Sequence, residues 1–190
     1  MTAISGKVLI GGLTAFWFLF GGMASAPADQ KDARLPGLFD QLKAAPDMAA
    51  AAAVEAQIWD IWLKADDPAI ESLMTEGSEA MRARQFGTAL EKFNAVIAER
   101  PDFAEGWNKR ATLFYLMGNY AQSVADIDRT LELEPRHIGA LSGLGLVNLQ
   151  MEREEAAADA FKRVLAIDPQ NGSAKSNLII VEDMLKRKQI

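Results

Sequence analysis

His137 is the single histidine of the chain, and there is no cysteine. Acid–base work near neutral pH would rest on one imidazole. Thiolate nucleophiles, thiolate metal sites and disulfides are excluded. His137 follows Pro135-Arg136, with no second histidine to share a metal or a proton. Its setting predicts a solvated or loop-packing ring rather than a catalytic one. The carboxylates also read as structural. Asp66-Asp67 stands before Pro68 as a helix stop. Glu152, Glu154 and Glu155 form an acidic turn and helix start, where negative charge favours the positive end of a helix dipole. No Gly-rich phosphate loop, zinc-ligand spacing or calcium loop occurs. The sequence thus predicts no catalytic residue, no metal site and no cofactor.

Composition narrows the remaining classes. The chain has 190 residues, 49% of them hydrophobic, enough for a sizeable core. Its 20 basic and 26 acidic residues give a formal net charge of −6. Nucleic acid binding draws on phosphate neutralisation by Lys and Arg, so an acidic chain without a basic stripe excludes that partner. What is left is a protein that binds another protein, a peptide or itself.

The elements that would position such a surface follow from a period. Pro101, Pro135 and Pro169 are 34 residues apart. Aligned on them, Gly77, Ala111 and Gly145 fall in one column, and Ala89, Ser123 and Ala157 in another. Phe93, Ile127 and Phe161 form a third column, and Leu73, Trp107 and Leu141 a fourth. Small and large residues at fixed offsets describe helix pairs with close backbone contact. Glycine inside a helix costs about 1 kcal/mol against alanine, so Gly77 and Gly145 need a packing reason. The turns between paired helices fall at Ala83-Arg84-Gln85, Gly118-Asn119 and Glu152-Arg153, and only the second has glycine.

This pattern resembles the tetratricopeptide repeat (TPR) family, over residues 70–171. The resemblance implies an all-α fold, an α-solenoid of helix pairs at 70–103, 104–137 and 138–171. The chain departs from the family pattern at Glu76 and Arg110, where leucine is usual, at Thr130, where alanine is usual, and at Glu154, which replaces the aromatic seen at Phe86 and Tyr120. A solenoid needs polar lids at its ends. Residues 172–190 supply a capping helix, with Leu178, Ile179, Val181 and Leu185 inward. Residues 35–69 read as a helical hairpin capping the first repeat, a short helix from Leu35 and a longer one from Met48 with Asp47 as its cap. Trp59 and Trp62 on that hairpin are expected in the core, with an exposed patch as the alternative.

The resemblance also implies where a partner sits. Family groove positions map to Met74, Ser78, Met81 and Arg82, then Asn108, Thr112, Tyr115 and Leu116. The third repeat gives Ser142, Leu146, Leu149 and Gln150, and the last helix adds Ser176 and Ile180. Asn108 is expected to bond a peptide main chain through donor and acceptor. Family members that hold a terminal carboxylate use a clamp of cations and asparagines. The matching positions here are Met74, Ser78, Lys109, Gly139 and Gly143, which cannot form it. The expectation is a non-catalytic scaffold for a protein or peptide ligand. The alternative is a surface covered by the amino-terminal hairpin, or by a second copy in a homo-oligomer.

Residues 1–28 complete the reading. Lys7 precedes an apolar run, Val8 to Met23, and small residues follow it. That is the layout of a secretory signal peptide, with cleavage placed after Ala28. An uncleaved membrane anchor stays open as the alternative. Either places the body outside the cytoplasm, periplasmic or secreted, in a bacterial envelope. Residues 29–34 read as a disordered linker.

Overall fold

The computed structural model describes residues 29–188, which contain nine α-helices and no strand. These are α1 (Leu35–Lys43), α2 (Met48–Trp62), α3 (Pro68–Arg82), α4 (Phe86–Glu99) and α5 (Ala104–Leu116), then α6 (Tyr120–Leu133), α7 (Ile138–Gln150), α8 (Glu154–Ile167) and α9 (Gly172–Lys188). Helices α3 and α4, α5 and α6, and α7 and α8 pack as antiparallel neighbours, and α9 closes on α8. The architecture is the all-helical solenoid that the 34-residue period implies. Helix starts follow side-chain chemistry. Asp47 accepts the Ala50 N–H at 2.9 Å, and Asp67 accepts the Ala69 N–H at 2.9 Å, each satisfying a donor that a helix start leaves free.

The small-residue columns lie where pairs touch. A Cβ built on Gly77 would stand 2.7 Å from the Phe93 ring, and one on Gly145 would stand 2.5 Å from the Phe161 ring. In the middle pair the same place is held by Ala111, whose carbonyl accepts the Ser123 hydroxyl at 2.8 Å. Gly118 turns with a φ of +75°, and Arg84 and Glu152 take φ of +58° and +57° at the matching places, a left-handed backbone that glycine adopts without strain.

The residues that depart from the family pattern have partners. Glu76 pairs with Lys92 at 2.6 Å. One period later the charges are reversed: Arg110 makes a two-pronged pair with Asp126 at 2.7 and 2.8 Å. Thr130 donates its hydroxyl to the Asp126 carbonyl at 2.8 Å. Glu154 is buried, and Lys188 at the end of α9 lies 2.6 Å from it. The hydrogen bond from Lys188 holds the Glu154 carboxyl below its usual range. The third pair therefore exchanges an aromatic contact for a link to the last helix.

The amino-terminal hairpin corrects one expectation. It does not stack on the first helix pair as a neighbouring cap. Leu35, Leu38, Phe39 and Leu42 of α1, with Ile58, Ile61 and Trp62 of α2, share a core with Ile138, Leu141, Phe161 and Val164 of α7 and α8. The reason is a row of contacts along the loops that join one pair to the next. Gln30 bonds the Asp102 carbonyl and the Ala104 N–H. The Arg136 guanidinium grips Glu134 and lies 4.2 Å from the Phe39 ring centroid. Gln170 donates to the Ala45 carbonyl at 3.3 Å. On the way back, Arg100 donates to the Ala65 carbonyl at 2.9 Å. The hairpin runs lengthwise over three loops and returns to its own pair.

Two further expectations are corrected. The linker reading of 29–34 fails, because Asp29, Gln30 and Asp32 are buried and Lys31 pairs with Asp102 at 2.8 Å. Polar residues here bond loop backbone that would otherwise lack partners. On α9, Val181 is buried and Leu178 and Leu185 pack on the core, but Ile179 is 68% exposed. Ile179 occupies the register position of Gly145, which faces the second helix of its pair, and α9 has no such helix among the described residues. No described helix is long and apolar enough to cross a membrane. The apolar run from Val8 to Met23 and the expected cut after Ala28 lie outside the described residues.

Candidate concave binding site

Helices α5, α6 and α7 enclose a cavity of about 290 Å³. It brings together six of the expected groove residues: Asn108, Thr112, Tyr115, Leu116, Ser142 and Leu146. Leu116 is 51% and Leu146 37% exposed, so the rim is apolar and open. Tyr115 is half-buried, its ring centroid 5.9 Å from that of Tyr120. Glycines floor the cavity. Gly139 and Gly143 stand one period after Glu105 and Lys109, in the column where longer side chains would fill the space. Regularity of that column was the available signal, and a lone glycine pair does not say that the gap is left empty.

A second, shallower pocket of about 440 Å³ lies toward the first pair. It takes in Met74, Ser78 and Arg82, with Leu63, Lys64, Glu71 and Lys109. The other expected residues line neither pocket. Met81 packs half-buried on the core of the first pair, and Leu149 packs on the core beneath the hairpin. Ile180 is 54% exposed on α9 and lines neither pocket, as is true of Ser176 beside it. Gln150 accepts a long 3.4 Å bond from the Tyr120 hydroxyl. Met74 is itself mostly core, so its share of the surface is small.

Asn108 does not offer the two-sided amide that was expected. It is only 7% exposed, and its NH₂ donates to Glu105 at 2.8 Å. Glu105 is fully buried and is the centre of a network that the sequence did not reveal. His137 Nε2 lies 3.1 Å from its carboxylate, and Lys109 Nζ 3.0 Å. His137 Nδ1 accepts the Ala140 N–H at 3.2 Å, capping α7. That leaves the ring proton on Nε2, facing Glu105. Burial pushes the Glu105 carboxyl up, but the hydrogen bond from His137, the nearby Lys109 charge and the Asn108 amide outweigh it, and the group lies below its usual range.

Aromatic rings seal the network. Trp62 stacks on His137 with centroids 4.3 Å apart, and Trp59 meets His137 edge-on at 5.5 Å. His137 is thus a buried capping ring, and the solvated alternative is ruled out. A Cβ on Gly139 would come within 2.8 Å of Trp59, so the same glycine that floors the cavity also seats the hairpin. Helix α2 covers the loop-side part of the concave face and leaves the turn-side part open. No cluster of three or more His, Cys, Asp or Glu that could hold a metal ion occurs among the described residues.

Comparison with known proteins agrees with this geometry. The model of the tetratricopeptide repeat family matches residues 74–121 and 108–172. A TPR repeat-containing protein of Rhizobium etli is 35% identical over 152 residues, 80% of this chain and 74% of that protein. Among solved structures, the Sgt2 TPR domain from Aspergillus fumigatus superposes with a TM-score of 0.62 at 18% identity, covering 65% of this chain and 83% of that one. The first TPR of Spaghetti (RPAP3), solved bound to an HSP90 peptide, gives 0.60 at 19% identity, covering 62% and 93%. At such identities the two structures bear on the fold alone. The matched model spans more than half of the chain, and the chain belongs to the tetratricopeptide repeat family.

Proposed function

We propose that this chain is a non-catalytic, exported scaffold that binds a peptide segment of a partner protein on the turn-side half of its concave face. The observation that carries this is the open cavity between α5, α6 and α7, with Leu116 and Leu146 exposed on its rim. Exposed apolar side chains beside a concave site mark an interaction surface. Export rests on the order of Lys7, the apolar run and the small residues before Asp29. The intact mass of the protein from its native compartment tests it: a chain beginning at Asp29 is expected, and a full-length chain in the membrane fraction sinks cleavage.

A photo-crosslinking residue at position 146 tests the groove, with one at position 152 as control. Partner adducts are expected from 146 alone. Equal yields from both, or none from 146, remove the groove from consideration. A second reading, a self-associating subunit of a membrane-associated complex, is favoured by Ile179 and Ile180 on the outer face of α9. Sedimentation that shifts with protein concentration and is abolished by Ile179→Lys would select it.

A further inference from the structure

We infer that the α5–α7 cavity takes one large apolar side chain from an internal stretch of the partner peptide, with acidic residues flanking that side chain where the peptide crosses α3. This rests on the groove reading above and names the chemistry of its ligand.

The cavity is mostly apolar in effect, with the Ser142 and Tyr115 hydroxyls as the lining groups that no other described residue engages. Asn108 gives its NH₂ to Glu105, Thr112 gives its hydroxyl to the Asn108 carbonyl at 3.0 Å, and Ser123 gives its hydroxyl to Ala111. These donors are spent inside the protein. No charged side chain lines the space. A carboxylate or ammonium entering it would lose water and gain no ion partner, which is strongly unfavourable. An apolar side chain gains burial there. The volume of about 290 Å³ is enough for a ring, since roughly 150 Å³ of apolar cavity accepts benzene. A terminal carboxylate has no clamp to meet: Gly139 and Gly143 hold the places where cations would be needed, and Trp59 closes the space beside Gly139.

Charge complementarity supplies the flank. The neighbouring pocket is lined by Lys64, Arg82 and Lys109 against Glu71 alone. Lys109 is occupied by Glu105. Lys64 and Arg82 are exposed, and Arg82 has no ion pair among the described residues. This is a cationic patch on a chain whose net charge is −6. A peptide that fills the cavity and continues over α3 meets it, and Asp or Glu residues at that end are favoured.

Gly143 gives a clean test. A Cβ there meets only Ile127 Cδ1, at 3.6 Å, an ordinary contact. Gly143→Leu therefore fills the cavity without disturbing the helix pair, and it removes a glycine from a helix interior. Its melting midpoint is expected at or above that of the unmodified chain. The probe is a displayed library of random dodecapeptides tethered at both ends, selected on the full chain. Recovered sequences are expected to share one Leu, Met, Phe or Trp with Asp or Glu on one side. Affinity for a selected peptide should fall about tenfold in Gly143→Leu, as for loss of a buried anchor. Arg82→Glu should weaken the same peptide several-fold, and a version with alanine in place of its acids hardly at all. Unchanged affinity in Gly143→Leu, or recovered peptides without an apolar residue, overturns the anchor. Equal binding of the acidic and alanine peptides overturns the flank. Peptides that lose affinity with Leu146→Asp but not with Gly143→Leu leave the groove reading standing and sink only this refinement. Peptides indifferent to all of these substitutions, or an empty selection, sink both.

Discussion

At the scale of single residues, His137 shows how much a register can hide. In sequence it is a lone ring in a loop, and nothing marks it as buried. In the structure it caps α7, faces Glu105, and lies between Trp59 and Trp62. Removing it leaves a fully buried carboxylate with one donor fewer and opens a space beneath two indoles. Taking a hydrogen-bond donor from a buried carboxylate costs roughly 1–3 kcal/mol, and the emptied space under the indoles adds a cavity cost, so His137→Ala is expected to destabilise the chain by about 3 kcal/mol. Urea denaturation at neutral pH measures it. A loss below about 1 kcal/mol, the net worth of an ordinary hydrogen bond, would mean that water takes over the role of the ring. The glycines are the opposite case. Gly77 and Gly145 were legible because their columns repeat, and each one abuts the phenylalanine that the alignment pairs with it. Asn108 was misread: its column marks it as groove, but which of its bonds are already spent depends on Glu105, a neighbour on the same helix turn whose own burial comes from a distant segment.

At the scale of elements, the helices of the solenoid follow their local signals, and the segment before them does not. Residues 29–34 lack periodicity and read as linker, yet they are tied to the loop between α4 and α5. Asp102 is the anchor. The hydrogen bond from Lys31, with Arg100 beside it, lowers its carboxyl from 3.8 to about 2. A carboxyl with a depressed folded pKa adds stability that is present above its unfolded value and lost as pH falls through the folded one. The contribution of this tie should therefore be intact at pH 5 and decline between about pH 4 and pH 2. Both partners are about half exposed, so solvent and salt screening reduce its size. Amide exchange of residues 29–34 at pH 5 and pH 3 reads the effect directly. Faster opening at pH 3 is expected in the unmodified chain and not in Asp102→Asn. An equal pH response in both would assign the acid sensitivity to another carboxylate.

At the scale of the whole molecule, the sequence conveyed the solenoid and missed the strap. Repeats that touch only their neighbours write their contacts into a period, which is why the helix pairs could be placed from spacing alone. The hairpin touches the third pair across more than seventy residues of chain, as when Trp62 meets His137, and no period records that. The same physics explains why only part of the candidate site was legible: groove columns repeat, but the half of the groove that α2 covers is set by this one long-range contact. A plain stack loses stability locally when one end is damaged. A strapped stack behaves differently, and Trp59→Ala together with Trp62→Ala tells them apart. Truncating a large buried aromatic such as Trp62 costs roughly 3–5 kcal/mol when little else relaxes, and the half-buried Trp59 less. If the hairpin served as a cap on the first pair, α3 and α4 would lose protection first. Because its core is shared with Ile138, Leu141, Phe161 and Val164, α7 and α8 are expected to exchange amide hydrogens faster, while the middle of α4, packed through Phe93 and Val96 on its own cluster, keeps its protection. Hydrogen exchange of the double variant, resolved by helix, makes the comparison within one sample. Greater loss in α3 and α4 than in α7 and α8 would show that the long-range docking does not carry the stability of the array, and the covered half of the concave face would then be open as well.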